Sequence, residues 1–78
     1  MKTAILLTSI KLNEQATDVI ETPVIIGVKN IITIKERSMG SYKNNLRFPC
    51  TEIRSTAAMV TSTYVKESIT EIWQQMNS

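Results

Sequence analysis

The stretch VTSTYVKESITEIWQQM, residues 60–76, decides the fold. Its first half is β-branched and aromatic, and Val65 is an apolar position between Tyr64 and Lys66. Such residues suit a pleated, half-buried surface, so a strand is expected over Val60–Lys66. The register then changes. Ser68-Ile69-Thr70-Glu71 is a capping box, in which the serine hydroxyl takes an orphan helix N–H and the glutamate reaches back to the cap N–H. Ile69, Ile72, Trp73 and Met76 follow at i, i+3, i+4 and i+7, one apolar stripe on a helix over 68–77. A helix this short is marginal alone in water and must dock. Trp73 and Met76 are therefore expected in the core, with an interface position, where Trp is enriched, as the alternative.

Working outward, Thr51–Thr56 is a further strand, with Ile53 facing in between Glu52 and Arg54. Residues 37–49, RSMGSYKNNLRFP, carry turn formers and no acid, and are expected as a long hairpin excursion. Ile31–Lys35 is a strand, and Gly27-Val28-Lys29-Asn30 before it can turn the chain because Gly and Asn tolerate positive φ. Val24–Val28 is another strand, with Pro23 at its entry, where a missing N–H matters least. Asn13–Asp18 is polar and loop-like. Residues 4–12 alternate in their second half, with Leu6, Thr8, Ile10 and Leu12 on one side and Ser9 and Lys11 on the other, which is a strand signal. The expectation is a single domain over residues 1–78. It is mainly β, a small antiparallel sheet or partly open barrel of about five strands with a C-terminal α-helix.

Composition excludes most chemistry. The 78 residues include no histidine, which removes the usual general base and the commonest transition-metal ligand. The single cysteine, Cys50, cannot form an internal disulfide or a four-ligand zinc site, and is expected as a small half-buried hydrophobe in a reduced protein. Two glycines, Gly27 and Gly40, are too few and too far apart for a phosphate-cradling loop. Glu67 and Glu71 beside a helix start suit capping and the helix dipole better than acid–base work. The chain is expected not to be an enzyme and to have no cofactor, no metal and no small-molecule substrate. The opening apolar run, Ala4–Leu7, is too short for a signal peptide, and no run approaches a membrane span. A cytoplasmic product, or one built into a virion or other large assembly after cytoplasmic synthesis, is expected.

The net charge of +2 is unevenly placed. Residues 29–54 hold Lys29, Lys35, Arg37, Lys43, Arg47 and Arg54 against Glu36 and Glu52 alone. Within them Arg37, Tyr42, Lys43, Arg47 and Phe48 interleave cations with aromatics, a mixture that tracks phosphate and stacks on bases. With Arg54 these are the candidate binding residues, for a protein partner or for nucleic acid. A solvated loop with its aromatics tucked against the sheet would look the same.

Four spaced elements also resemble a known family. Ile26-Gly27 stands where that family has an Ile/Val-Asn pair, and Ile31 and Ile34 match its spaced isoleucines. Thr51-Glu52-Ile53 matches its Thr-x-Ile strand, and Tyr64-Val65-Lys66-Glu67-Ser68 with Glu71-Ile72 matches its final strand and helix. Over roughly residues 24–76 the chain resembles the small flagellar FlbD-like family, and more loosely the β-domain of LytTR response regulators. It departs in lacking a tight Asn-Gly hairpin between the last strands, and residues 38–50 look like an insertion. The resemblance implies a small non-catalytic accessory protein of a large bacterial or bacteriophage assembly. Independently of the resemblance, five short strands in so small a chain leave edges that must be paired or blocked, so other protein subunits are expected as partners, with self-association into a homo-oligomer. The LytTR likeness implies DNA binding as the alternative.

Overall fold

The structure, a computed structural model, describes residues 3–41, 45–56 and 59–78. Five strands form one antiparallel sheet: β1 (Ala4–Leu12), β2 (Val19–Gly27), β3 (Ile31–Ser41), β4 (Leu46–Thr56) and β5 (Val60–Val65). Their order is β2-β1-β5-β4-β3, and helix α1 (Ile69–Met76) follows β5. The fold is thus mainly β with a C-terminal helix. Two units make it up, a β1–β2 hairpin and a β3–β4–β5 meander. They join where β5 returns beside β1, through the single register pair Ser9 opposite Val65.

The apolar pattern explains the closure. Ile5 and Leu7 on β1, Ile26 on β2, Ile53 on β4 and Val65 on β5 are buried in one cluster with Ile72 of the helix. Val24, Val28, Ile31, Ile34 and Met76 pack around it. Cross-strand partners share a face, and the partners Ile5–Ile26, Leu7–Val24 and Ile34–Ile53 set the core side of both hairpins. Ile53 and Val65 take the buried positions expected of them. On β1 the core side is that of Ile5 and Leu7, so Leu6, on the alternate face, is 59% exposed.

Several boundaries correct the sequence expectation. β2 begins at Val19, so Pro23 lies inside the strand. β2 is an edge strand, and a proline costs no ladder bond where its nitrogen faces outward. The excursion expected over 37–49 is largely strand: β3 runs to Ser41 and β4 starts at Leu46, paired from Arg37–Cys50 to Ser41–Leu46. Beyond the end of β5 this hairpin continues as a two-stranded ribbon. Its alternation of Leu46, Phe48 and Cys50 with Arg47 and Pro49 is short, and Pro49 and the turn formers before it disguise it. Gly40 belongs to its close pairing, because a Cβ there would run into the Leu46 carbonyl. The turn at 28–30 is a 3₁₀ helix with Gly27 at φ −70°, and among the described residues the positive-φ positions are instead Ala16 and Asn45. The β1–β2 loop is closed by Asn13, whose Oδ1 accepts from the Thr17 N–H at 2.9 Å.

The capping box forms as its sequence reads: Glu71 N–H donates to Ser68 Oγ at 3.1 Å, and Ser68 N–H donates to Glu71 Oε1 at 3.3 Å. Ser68→Ala is expected to cost about 1 kcal/mol, readable as a small shift of the urea midpoint with unchanged slope. Only part of the apolar stripe is used. Ile72 is fully buried and Met76 packs beside it, whereas Ile69 is 36% and Trp73 62% exposed. Trp73 is therefore not in the core. An eight-residue helix seated against β1 and β3 touches them along the narrow Ile72–Met76 seam, i to i+4, which turns the neighbouring position 73 outward.

Candidate interaction surface

Strand alternation sorts the candidate residues. In the β3–β4 register Arg37 faces Cys50, Met39 faces Phe48 and Thr33 faces Arg54. Arg37, Phe48 and Arg54 therefore share the face of the meander opposite the core. Arg47, paired with Gly40, lies on the other face, so the structure divides what the sequence grouped. Tyr42 and Lys43 lie outside the described residues. Phe48 is half-buried and is not presented as an open stacking platform.

The outer face also holds residues that the sequence reading passed over. Lys35 stands across β3–β4 from Glu52, and Tyr64 stands across β4–β5 from the same glutamate. Arg37 Nε donates to Glu52 Oε1 at 3.1 Å. The hydrogen bond from Arg37, then one from Ser62, together with the charge of Arg54, holds the Glu52 carboxyl below the usual carboxylate range. A carboxylate with a lowered pKa contributes stability above its ordinary pKa and loses it as pH falls through the lowered one. Arg37 is half in solvent, so that contribution is small. The larger consequence is for the surface: Glu52 is an internal counter-ion that takes up part of the positive charge read from the sequence. The signal was present in Glu52 itself, but only cross-strand pairing shows that it faces Lys35 and Arg37.

Between the ribbon and the start of α1 lies a cleft of about 380 Å³, lined by Pro49, Cys50, Lys66, Glu67, Ile69 and Glu71 among others. Several of its polar groups are structural. Glu67 spans the joint between the two hairpin units: Thr8 N–H donates to Oε1 at 2.9 Å, and Thr8 Oγ1 donates to Oε2 at 3.0 Å. The buried Thr51 hydroxyl donates to the Glu67 carbonyl at 2.7 Å. Lys66 N–H donates to the Thr8 carbonyl at 2.9 Å. The Lys66 ammonium lies 3.6 Å from Glu21 on β2, across the same joint.

Cys50 is more buried than the sequence suggested, and burial, with the nearby Glu52 charge, pushes its thiol up. The thiolate is the reactive form. Cys50 is therefore expected to react with an aromatic disulfide reagent more slowly than free cysteine at pH 7–8, and to reach the free rate once the chain is unfolded in denaturant. A fast native reaction would contradict this environment. Among the described residues, no three His, Cys, Asp or Glu side chains gather to hold a metal ion, and no helix is long and apolar enough to cross a membrane. Compared with protein-family models, curated proteins and solved structures, the chain matches none.

Proposed function

We propose that the protein is a non-enzymatic assembly or adaptor subunit that acts through contacts with other protein subunits. The reading is carried by the open sheet: β2 and β3 each have a neighbour on one side only. Backbone donors and acceptors along a free edge are a template for another chain. Exposed apolar side chains add to it. Leu6 and Ile25 are cross-strand partners, 59% and 73% exposed, and Trp73 stands out from the helix. The resemblance to the FlbD-like family supports the same class, a cytoplasmically made accessory of a bacterial or bacteriophage assembly.

Size fractionation of a native extract, with and without nuclease, tests the proposal. The protein is expected in complexes well above its 8.8 kDa monomer mass that survive nuclease. Purified chain in light scattering then shows whether copies of itself suffice. Elution as a free monomer would overturn the reading.

A second reading, binding of nucleic acid, is supported by the ribbon, since a two-stranded β-ribbon fits the major groove. Arg37 and Arg47 lie on it, and Lys43 belongs to the same stretch of sequence. Contacts to three to five phosphates would give a log–log salt slope of about −2 to −4 on single strands, flattened by about 1 to 2 when Lys43 and Arg47 are both replaced by Ala. Nuclease would then collapse the complex.

A further inference from the structure

The free backbone edges of this sheet are not equivalent. β2 carries Pro23. β4 has an open stretch, Leu46–Cys50, because its pairing with β5 stops at Thr51 opposite Val65, and that stretch carries Pro49; β5 is open toward β1 over Val60–Tyr64, a short stretch of five residues without a proline. The chain has two prolines, and both stand where a strand is unpaired on one side. Proline cannot donate to an incoming strand and is a common device for blunting an edge. β3, at 11 residues as long as any strand here, has a free edge with no proline. Its one irregularity lies at the start, between Ile31 and Thr33. What guards it is charge, in the run Lys35-Glu36-Arg37.

That charge discriminates between occupants. Two copies pairing β3 to β3 antiparallel about a two-fold axis oppose residues symmetrically about the centre, with like faces together. Centred on Glu36, the middle of the strand, the pairing sets Lys35 against Arg37 twice. Centred on Lys35 or Arg37, it sets each against itself. Like charges directly opposite are destabilising. A centre on Ser38 pairs residues 35–41 without like charges opposed, but it sets Lys35, Glu36 and Arg37 against uncharged residues and so gains no charge pair; centres toward the start meet the irregularity at Ile31–Thr33. A strand with acids at the facing positions meets no such penalty. It would lie beside Lys35, with Arg37 and Arg54 adding positive potential on the same face, and Glu52 offsets only part of that charge.

We propose that the free edge of β3 accepts an extended acidic segment of a partner protein as a sixth strand, in preference to a second copy of this chain. This rests on the assembly reading above and names the partner's chemistry. Backbone hydrogen bonds would supply affinity, and alternate acids the selectivity. Apolar residues between the acids would fall on the Ile34 side, at the rim of the core.

The test uses the full chain and a fluorescein-labelled peptide of about six residues, an ordinary strand length, alternating Glu with Val. Saturable anisotropy is expected, with slowed amide exchange confined to β3. A fully N-methylated counterpart should not bind, because it has no main-chain donors. A Lys/Val peptide should bind far less. Lys35→Gln, an exposed change, should weaken the Glu/Val peptide by about two- to fivefold. No saturable binding overturns the proposal, and so does binding indifferent to N-methylation, which would be simple ion attraction. A single-stranded oligonucleotide protecting the β3 amides more strongly than the peptide also overturns it. If the peptide fails while the nuclease-resistant complexes persist, this inference falls and the assembly reading stands. If those complexes are absent, the assembly reading falls first.

Discussion

Ile72→Ala is expected to cost about 2–5 kcal/mol, the range for emptying a fully buried aliphatic site, while Trp73→Ala costs no more than about 0.5 kcal/mol. Both belong to the same apolar stripe, yet Ile72 is fully buried in the core cluster and Trp73 is 62% exposed. The helix offers Ile72 as its one fully buried side chain, so truncation there removes most of what seats it on β1 and β3. A domain of this size is stable by about 5 kcal/mol at the low end. The Ile72 variant should therefore keep about 3 kcal/mol at most, its melting transition lowered by about 8 °C or more at about 4–8 °C per kcal/mol. Deleting residues 68–78 should do the same or worse. Thermal melts of the two point variants side by side check the orientation of the helix. Equal shifts, or the larger shift for Trp73, would mean that the helix sits rotated by about one position from the arrangement described.

That contrast also shows where the sequence stops being readable. The capping box at Ser68–Glu71 and the i, i+4 spacing announce a helix, because both are local. Which side of the stripe docks depends on how wide a seam β1 and β3 present, and that is a property of residues far away in the chain. β5 and the inward positions of Ile53 and Val65 were legible from local alternation, and β1 was legible as a strand but not in its facing, because Ile5 and Leu7 are buried on one side and Ile10 on the other. β2 was legible only from Val24 onward: residues 19–22 pair along the second half of β1, where little is buried, so they carry no alternation. The ribbon of β3 and β4 was read as loop because its turn formers and Pro49 outweighed the alternation of Leu46, Phe48 and Cys50. Its pairing is held by backbone bonds between two largely solvated strands, and polar composition then misleads.

The candidate surface was half visible. An excess of cations over residues 29–54 is a fact of composition. Its division between two faces, with Arg37 and Arg54 on one and Arg47 on the other, follows from register alone. Glu52, one of two acids among those cations in the sequence, sits beside Lys35, Arg37 and Arg54. The pairing also identifies β3 as the long free edge, which no local pattern could do.

Glu67 is where the two halves of the molecule are fastened, and replacing it should be the most damaging change at any polar residue. β1 and β5 share one register pair, Ser9 with Val65, so few backbone bonds join the β1–β2 hairpin to the meander. The Glu67 carboxylate supplies two more, to the Thr8 amide and hydroxyl, and its own carbonyl takes the buried Thr51 hydroxyl. Hydrogen bonds to a charged group contribute about 1.5–3 kcal/mol each. This carboxylate is only part-buried, so the lower end applies, and Glu67→Ala is expected to cost about 2–4 kcal/mol. The Thr8 amide would also lose its partner at a joint where the sheet is thin. Glu67→Gln keeps one acceptor oxygen and should lose about half as much. Thr51→Val removes a different bond, leaves the Glu67 carbonyl unpaired, and should cost about 1–3 kcal/mol. A double-mutant cycle between Thr8→Val and Glu67→Gln should show coupling of at least about 0.5 kcal/mol, the threshold for groups in direct contact. Urea unfolding of the four single variants gives the ranking. If Glu67→Ala unfolds no more readily than Ser68→Ala, the carboxylate is not what holds β1 to β5, and the closure of this sheet rests on the Ile72 seam alone.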